Sequence, residues 1–235
     1  MTLNLWGYND WSSRESNILA LIKKIDPDII TLQEVEIDST YSELSQSENI
    51  AKICGYEYHV FKPAFTRESS FEQKNTSDRI VTHGLAVLSK YPIISSQSYR
   101  LRKQRDFNEP CIALITNIDV DGHILDLWNI HLANTDKHSD LHIRELMLLC
   151  SSRSRTPIIQ GDFNIYNLDD YSKNILSKYC LSSEKLKYIS MPKDNGTLDY
   201  IIIPVTKYKF EKVSCPTDYV SDHMAIVAFI EILKK

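Results

Sequence analysis

The sequence contains no apolar stretch that approaches the roughly 20 residues of a membrane-spanning helix. Its first residues, 1–6, lack the basic segment followed by an apolar one that marks a secretory signal. The five cysteines include no Cys-x-x-Cys pair, and their odd number argues against a complete disulfide framework. These absences predict a cytoplasmic protein, without stable membrane insertion, that keeps its thiols reduced.

The chain also lacks a surplus of positive charge. Its 27 Lys and Arg residues are outnumbered by 31 Asp and Glu residues, which leaves a net charge of −4. Proteins that bind nucleic acid usually carry a basic patch, so any polyanionic substrate must be bound locally here. A local basic run, which could equally bind phosphates or protect a strand edge from aggregation, comprises Arg100, Arg102, Lys103 and Arg105.

Helix and strand patterns alternate in the first third of the chain. Ser12 followed by Glu15 is a capping box, and apolar residues at helical spacing predict a helix over residues 14–25. The segment 62–82 is polar and has no pattern, which predicts a long mobile loop. The other elements predicted here are strands at 1–5, 29–32 and 56–61 and a helix at 43–53.

Strand patterns dominate from Gly84 onward, and Asp121-Gly122 is a strong hairpin signal. Helical spacing recurs around residues 143–150 and 171–179. The predicted strands are 85–89, 93–101, 111–118, 124–130, 157–160, 198–203 and 224–232. This mixture predicts a layered α/β architecture with a partly antiparallel sheet, in one domain spanning residues 1–235.

Acidic residues stand near the ends of several apolar runs, in Gln33-Glu34, Gly161-Asp162-Phe163-Asn164 and Ser221-Asp222-His223. Mg²⁺ prefers carboxylate, amide and water oxygens and keeps several waters, so one or two carboxylates per ion are enough. The clusters therefore indicate a metal-dependent phosphoryl-transfer site. Asp199 lies inside an apolar strand and needs a buried partner, for which His223 is the obvious candidate.

Short motifs follow one another in a fixed order along nearly the whole chain. They are Leu3-Asn4-Leu5-Trp6, Pro27-Asp28-Ile29-Ile30-Thr31-Leu32-Gln33-Glu34-Val35, Gly84-Leu85-Ala86-Val87-Leu88-Ser89-Lys90-Tyr91-Pro92-Ile93, Asn129-Ile130-His131-Leu132, Gly161-Asp162-Phe163-Asn164, Thr197-Leu198-Asp199-Tyr200-Ile201 and Ser221-Asp222-His223. This ordered set resembles the endonuclease/exonuclease/phosphatase superfamily. The resemblance implies the deoxyribonuclease I-like fold, a four-layer α/β sandwich of two packed mixed, largely antiparallel sheets flanked by helices.

The resemblance also implies a metal site for Mg²⁺, with Mn²⁺ as an alternative. Glu34 would ligate the ion, and Asn4 beside it would bind the ion or, through water, the scissile phosphate. Asp222 would complete the carboxylates on the metal side. By itself, Glu34 would otherwise be read as a solvated acid at a strand end.

The catalytic roles implied by the resemblance fall on five residues. Asp162 would orient or deprotonate the attacking water, and Asn164 would donate to a phosphate oxygen. His131 and His223 would flank the phosphate, and Asp199 would fix the tautomer of His223. The group that takes the proton from water, His223 or Asp162, stays open, as does the group that assists the leaving oxygen, His131 or the metal.

Structural interpretations compete with several of these roles. Asp162 and Asn164 could cap the following turn, and His131 could be a bonded core histidine. His138 and His142 are four residues apart and could bind a metal, but a solvated helix start is the preferred interpretation. The acidic partner of the first histidine in deoxyribonuclease I has no sure counterpart here; the candidates are Glu68, Glu72 and Asp78.

The predicted function is hydrolysis of phosphodiesters by in-line attack of an activated water, with nucleic acid as the favoured substrate. Gln33-Glu34-Val35-Glu36 differs from the Gln-Glu-Thr-Lys of repair enzymes similar to exonuclease III, which disfavours abasic-site repair. The alternative is a phosphatase or a sphingomyelinase-like hydrolase of small or lipid phosphoesters. An inactive binding module is the least favoured, because none of the expected site residues is missing. A monomer is favoured.

Overall fold

The computed structural model describes residues 1–68, 80–102, 109–172 and 176–233. Within these residues the strands form two large sheets and a separate hairpin. The first sheet contains β1 (Thr2–Asn4), β2 (Ile29–Asp38), β3 (Tyr58–Glu68) and β4 (Ile80–Ser89), in the order β1–β2–β4–β3. The second contains β5 (Ile93–Arg100), β6 (Ile112–Val120), β7 (His123–His131), β8 (Ile158–Asp162), β9 (Tyr179–Leu181) and β10 (Asp199–Pro204), in the order β5–β6–β7–β8–β10–β9. The hairpin pairs β11 (Tyr208–Ser214) with β12 (Val227–Ile232).

Helices cover the outer faces of the two large sheets. Ile18 and Ile22 of α1 (Trp11–Ile25) and Ile50 of α2 (Gln46–Cys54) pack in one apolar cluster with the first sheet. Ile143 and Leu146 of α3 (Asp136–Ser151) pack against the second. A third cluster fills the space between the sheets and includes residues of β4, β6, β7 and β10.

Both sheets are mixed, because β1 and β2 run parallel, as do β7 and β8, whereas the other ladders are antiparallel. The layers therefore follow the order helix, sheet, sheet, helix, which confirms the predicted four-layer sandwich. Two short helices, α4 (Asp169–Ser172) and α5 (Ser182–Lys185), and a 3₁₀ turn at Pro192–Asp194 complete the described elements.

The start of α1 corrects the predicted capping box. The helix begins at Trp11, after Asp10, which has a left-handed backbone (φ 46°) and no side-chain capping bond. Ser12 therefore lies inside the first turn, too late to cap it. α1 ends just before Asp26 and α2 just before Gly55, as predicted, although α2 begins at Gln46 and not at 43.

The predicted loop at 62–82 is wrong at both ends. β3 continues to Glu68, and β4 begins at Ile80, because the two strands pair along their whole described length. A register shift between Pro63 and Phe65 interrupts the alternation of side chains, and this irregularity hid the strand in the sequence. Residues 69–79 lie outside the described part of the chain.

The predicted helix around 171–179 is wrong in its last part. α4 is described as far as Ser172 and residues 173–175 are not described, but residues 176–178 form a turn and Tyr179 belongs to β9, where it pairs with Pro204. β11 was missed, and the last strand begins at Val227 rather than at 224.

All five cysteines are unpaired. None of the described helices has the length and apolar composition needed to cross a lipid bilayer.

Candidate active site

Three of the predicted site residues lie on one rung of the second sheet. His131 ends β7 and Asp162 ends β8, and the two are register partners in a parallel ladder. Asp199 begins β10 and is the antiparallel partner of Asp162. The main-chain pairing of three buried strands therefore brings the three side chains to the same edge of the sheet.

A bulge in the first sheet directs Glu34 toward this edge. The pairing of β2 with β4 shifts register between Leu32 and Val35, so β2 continues past Glu34 instead of ending before it, as the sequence had suggested. Glu34 has a left-handed backbone (φ 49°), which is unfavourable for a non-glycine residue and is often found at functional sites. Its side chain is 27% exposed.

Asn4 connects the two sheets at the site. Its Nδ2 donates to Glu34 Oε1 at 2.9 Å and to Asp162 Oδ2 at 3.1 Å, and its Oδ1 accepts a hydrogen bond from the backbone N–H of Trp6 at 3.0 Å. The side chain is fully buried. Asn4 thus presents a donor to both carboxylates, which is the geometry of a residue that positions them.

Asp162 lies at the centre of the cluster. Its Oδ2 is 3.6 Å from Nε2 of His131 and 3.7 Å from Nε2 of His223, and its Oδ1 accepts a hydrogen bond from the backbone N–H of Asn164. The Nδ2 of Asn164 donates to the carbonyl oxygen of Leu132 at 2.9 Å, and an amide NH₂ has a second hydrogen left for another acceptor. Both histidines therefore converge on the same carboxylate.

Asp199 and His223 form a buried pair, with 2.7 Å between Asp199 Oδ2 and His223 Nδ1. Burial acts to lower the pKa of His223, but the carboxylates of Asp199 and Asp162 outweigh it and raise that pKa to about 11. The hydrogen bond places a proton on Nδ1 and turns Nε2 toward Asp162. The backbone N–H of Asp199 donates to Ser190 Oγ, which fixes the start of β10.

Asp222 lines the same pocket as Glu34. Burial raises the pKa of Asp222, and the negative charge of Glu34 acts in the same direction. No sequence pattern predicts a role for Arg14, whose buried guanidinium donates to the carbonyl oxygens of Leu5 and Val220. Arg14 thereby ties together the segments that follow Asn4 and precede Asp222.

The donor set fits a hard divalent cation. Glu34, Asp162 and Asp222 offer carboxylate oxygens to one pocket, and the repulsion between Glu34 and Asp222 is the kind that a bound cation relieves. Among the described residues, the most tightly clustered possible ligand atoms belong instead to Asp162, Asp199 and His223. That group is buried, and His223 Nδ1 is already hydrogen-bonded to Asp199. The more open carboxylates of Glu34 and Asp222 therefore suit a hydrated ion better.

These side chains surround a cavity of about 370 Å³, within the range of small-ligand pockets. Of the predicted residues, the lining includes Glu34, His131, Asp162, Asn164, Asp222 and His223. Asn4 and Asp199 lie behind it and contact the lining residues. Arg67 and His83 also line the cavity, although the sequence analysis predicts no role for either. Arg67 lies within the segment predicted to be a loop, and His83 directly follows that segment.

Other sequence candidates lie elsewhere. His138 and His142 are buried, not solvated as expected: His138 Nδ1 is 2.5 Å from Thr135 Oγ1, and His142 Nε2 is 3.2 Å from the carbonyl oxygen of Arg102. Of the candidate acidic partners for His131, Glu68 is exposed, and Glu72 and Asp78 are outside the described residues. Arg100 donates to the carbonyl oxygen of Ala64; Lys103 and Arg105 are not described.

Solved structures with this fold cover almost the whole chain. An endonuclease/exonuclease/phosphatase from Beutenbergia cavernae has a TM-score of 0.74 and 17% identity and covers 93% of this chain, which spans 66% of that protein. The human nocturnin catalytic domain with bound sulfate has a TM-score of 0.72 and 18% identity, with 95% of this chain and 87% of that one covered. A mannosyl-6-phosphatase from Bacteroides thetaiotaomicron has a TM-score of 0.69 and 15% identity, with 99% and 98% covered. A comparison with curated protein sequences gives no significant match.

The sandwich and its neighbours define the class of deoxyribonuclease I-like folds. The chain belongs to the endonuclease/exonuclease/phosphatase family, whose model matches residues 1–223. Members of this family are hydrolases that act on phosphoester bonds, and they generally use a divalent metal.

Proposed function

We propose that the protein is a divalent-metal-dependent phosphoesterase that hydrolyses phosphodiester bonds by in-line attack of an activated water. The observation that carries this proposal is the convergence of His131 and His223 on Asp162, in a cavity that Glu34 and Asp222 also line. Glu34 and Asp222 would hold the ion, with Asp162 nearby. A bound Mg²⁺ supplies charge neutralisation for the phosphate oxygens and lowers the pKa of water.

The chain's own residues orient the reactants and move the protons. Asp162 accepts a hydrogen bond from the attacking water and takes its proton, because His223, whose pKa is raised to about 11, already carries a proton on each ring nitrogen. His223 and the remaining N–H of Asn164 donate to the phosphoryl oxygens. His131, on the other side of Asp162, is placed to assist the leaving oxygen, which must gain a proton or equivalent stabilisation.

Two substrate classes follow from this site. Phosphodiesters of nucleic acid are the first, because the arrangement supports attack on a diester without requiring a closed pocket. The cavity of about 370 Å³ favours a second candidate, a small phosphoester. One of the structural neighbours is named as a sugar phosphatase, which makes this second class worth testing alongside the first.

A substrate panel with a matched pair of variants tests the proposal. Single- and double-stranded DNA, RNA, sphingomyelin and inositol phosphates are assayed with Mg²⁺ and with a chelator. We expect Glu34→Gln to lower kcat by about 100-fold or more, because the ion loses its principal ligand. Glu43→Gln is the control. Glu43 is exposed and lies in the segment between β2 and α2, so this variant should retain full activity. Activity that survives chelation or Glu34→Gln would overturn the mechanism.

The remaining predictions about the whole protein stay as proposals. They are a single domain over residues 1–235, a monomer in solution and a cytoplasmic location.

A further inference from the structure

The cavity has a second polar wall, formed by β3 and β4 of the first sheet. Arg67 of β3 and His83 of β4 line it. The Arg67 side chain is 44% exposed and that of His83 is 13% exposed. Neither residue belongs to the set of carboxylates and histidines around Asp162, so the wall needs an explanation of its own.

A buried carboxylate holds this wall in place. Glu36 Oε1 accepts a hydrogen bond from Arg67 Nη2 at 2.9 Å and lies 3.6 Å from His83 Nδ1. Its Oε2 accepts a hydrogen bond from the backbone N–H of Tyr8 at 3.1 Å. The Glu36 side chain is only 7% exposed, so its contacts hold the Arg67 and His83 side chains in position from the protein interior. The two side chains are therefore preorganised before any ligand binds.

The His83 ring is fixed on a second side. It stacks on Phe65, with 4.9 Å between ring centroids and 22° between planes, and the two residues are register partners in β3 and β4. His83 Nδ1 is buried and faces Glu36, which leaves Nε2 for a partner in the cavity. The His83 and His131 ring centroids are 6.4 Å apart, so this wall is a direct neighbour of the reacting centre.

The chemistry of the wall suits an anion. A guanidinium carries five N–H donors in a planar fork that matches phosphate oxygens, and the bond to Glu36 uses only part of that capacity. The imidazole adds a further donor when its Nε2 carries the proton. The carboxylates Glu34, Asp162 and Asp222 line the same cavity, so the pocket offers ligands for a cation as well as donors for an anion.

We propose that Arg67 and His83 form a second phosphate subsite, which binds a phosphate group adjacent to the scissile phosphoester on the same substrate. This inference rests on the proposed function, because it assumes that the scissile phosphate lies at Asp162. The substrate class is therefore a phosphoester with a second phosphate close by, supplied either by a terminal phosphate or by the next linkage of a nucleotide chain. Glu36 is a positioning residue for this subsite.

Binding of matched nucleotides, which does not depend on turnover, tests the subsite. Thymidine 5′-monophosphate, thymidine 3′,5′-bisphosphate and the dinucleotide pTpT are titrated by calorimetry at fixed salt with Ca²⁺ in place of Mg²⁺, and chromatography of the recovered ligand verifies that it has not been hydrolysed. We expect wild-type protein to bind one of the doubly phosphorylated ligands more tightly than the monophosphate. In Arg67→Met that preference should fall about tenfold or more, the loss expected for a charge-assisted hydrogen bond.

Arg144→Met provides the matched control, because Arg144 also pairs with a carboxylate, Asp140, but does not line the cavity. The preference should persist within about twofold in this variant, a change too small for a lost charged contact. Arg67→Lys retains the charge without the planar fork and should show an intermediate preference, and thermal melting verifies that each variant is folded.

The outcomes are distinct. If only the bisphosphate binds more tightly than the monophosphate, the subsite binds a terminal phosphate. If pTpT shows the same increase in affinity over the monophosphate as the bisphosphate does, the subsite also binds a phosphate within a nucleotide chain. A wild-type protein without preference, or a preference that survives Arg67→Met, overturns the subsite. Turnover of the p-nitrophenyl esters of the same nucleotides is measured separately. Subsite binding without any turnover would count against the proposed function and leave the subsite standing.

Discussion

Two buried aspartates show how one physical rule yields different roles at the scale of single residues. Both Asp126 and Asp199 interrupt apolar strands, and each has a buried partner, as an acid in such a place requires. Asp199 bonds to His223, which faces the cavity, whereas Asp126 accepts a hydrogen bond from Trp128 Nε1 at 2.8 Å. The requirement for a partner can therefore be inferred from sequence, but the partner decides whether the acid serves catalysis or packing.

Asp126 should contribute a measurable pH dependence to stability. Burial raises the pKa of its carboxyl above 3.8, although Trp128 and Arg153 act in the opposite direction. A raised folded-state pKa means that the stabilising contribution is present at low pH and is lost as the pH rises through that pKa. In Asp126→Asn this titration is absent. We therefore expect the stability of the variant relative to wild type, from urea unfolding, to increase between about pH 4 and pH 7.

Asp140→Asn is the control of opposite sign. The hydrogen bond from Arg144 lowers the pKa of Asp140 below 3.8, so its contribution is present at neutral pH and is lost as the pH falls through the lowered pKa. The Asp140→Asn variant should be less stable than wild type at neutral pH, with a deficit that shrinks toward acid. Parallel trends in the two variants would contradict the assignment.

At the scale of elements, the contact between β7 and β8 depends on a glycine. Gly161 has φ 142°, and a Cβ at this position would overlap the carbonyl oxygen of Ile130 in the neighbouring strand. A larger residue must therefore push the two strands apart. Because Asp162 directly follows Gly161 and His131 directly follows Ile130, their spacing depends on this close approach.

Gly161→Ala should consequently reduce both stability and activity. We expect a loss of at least about 2 kcal/mol in the free energy of unfolding, from strain and overlap, together with a lower kcat. Gly122→Ala is the comparison: Gly122 has φ 88° in the hairpin between β6 and β7, and a Cβ there would contact nothing within 4 Å. It should cost about 1 kcal/mol and leave kcat intact, since only backbone strain is added. Equal effects on kcat would show that the close strand approach does not set the site.

The sequence predicted regular elements well and irregular ones poorly. Most strands and the first three helices could be located, because their apolar spacing repeats with a clear period. β3 was cut short, since Pro63 lies beside a register shift, and the continuation of β2 past Glu34 was missed for the same kind of reason. Both irregularities lie at the cavity, which is why Arg67 and His83 escaped notice although the predicted site residues came together.

At the scale of the whole molecule, one buried side chain links the two sheets behind the site. Asn129 of β7 donates to the carbonyl oxygens of Leu32 and Ala86 in the first sheet, each at 2.8 Å, and accepts a hydrogen bond from Gln33 Nε2 at 2.6 Å. All of these groups are buried. The link lies beside the bulge that carries Glu34, so it fixes the position of Glu34 relative to His131 of the other sheet.

Asn129→Leu should therefore affect stability and catalysis together. It leaves two carbonyl groups without their side-chain donor, which should cost roughly 2–5 kcal/mol in the free energy of unfolding, and it loosens the alignment of Glu34 with His131, which should lower kcat. In Thr116→Val, by contrast, the lost hydrogen bond to the carbonyl oxygen of Leu127 lies within one sheet. That variant should lose stability alone. An Asn129→Leu protein with normal kcat at a temperature where it is folded would limit the link to a role in folding.

The rung of His131, Asp162 and Asp199 has a consequence for how members of such a family diverge. Its spacing depends on the register of three strands and not on the connections between them. Connections such as those between β3 and β4 or between β5 and β6 can change in length and composition while that register persists. New substrate preferences can therefore arise through insertions and deletions around an inherited reaction, without a stage at which the chemistry itself is lost.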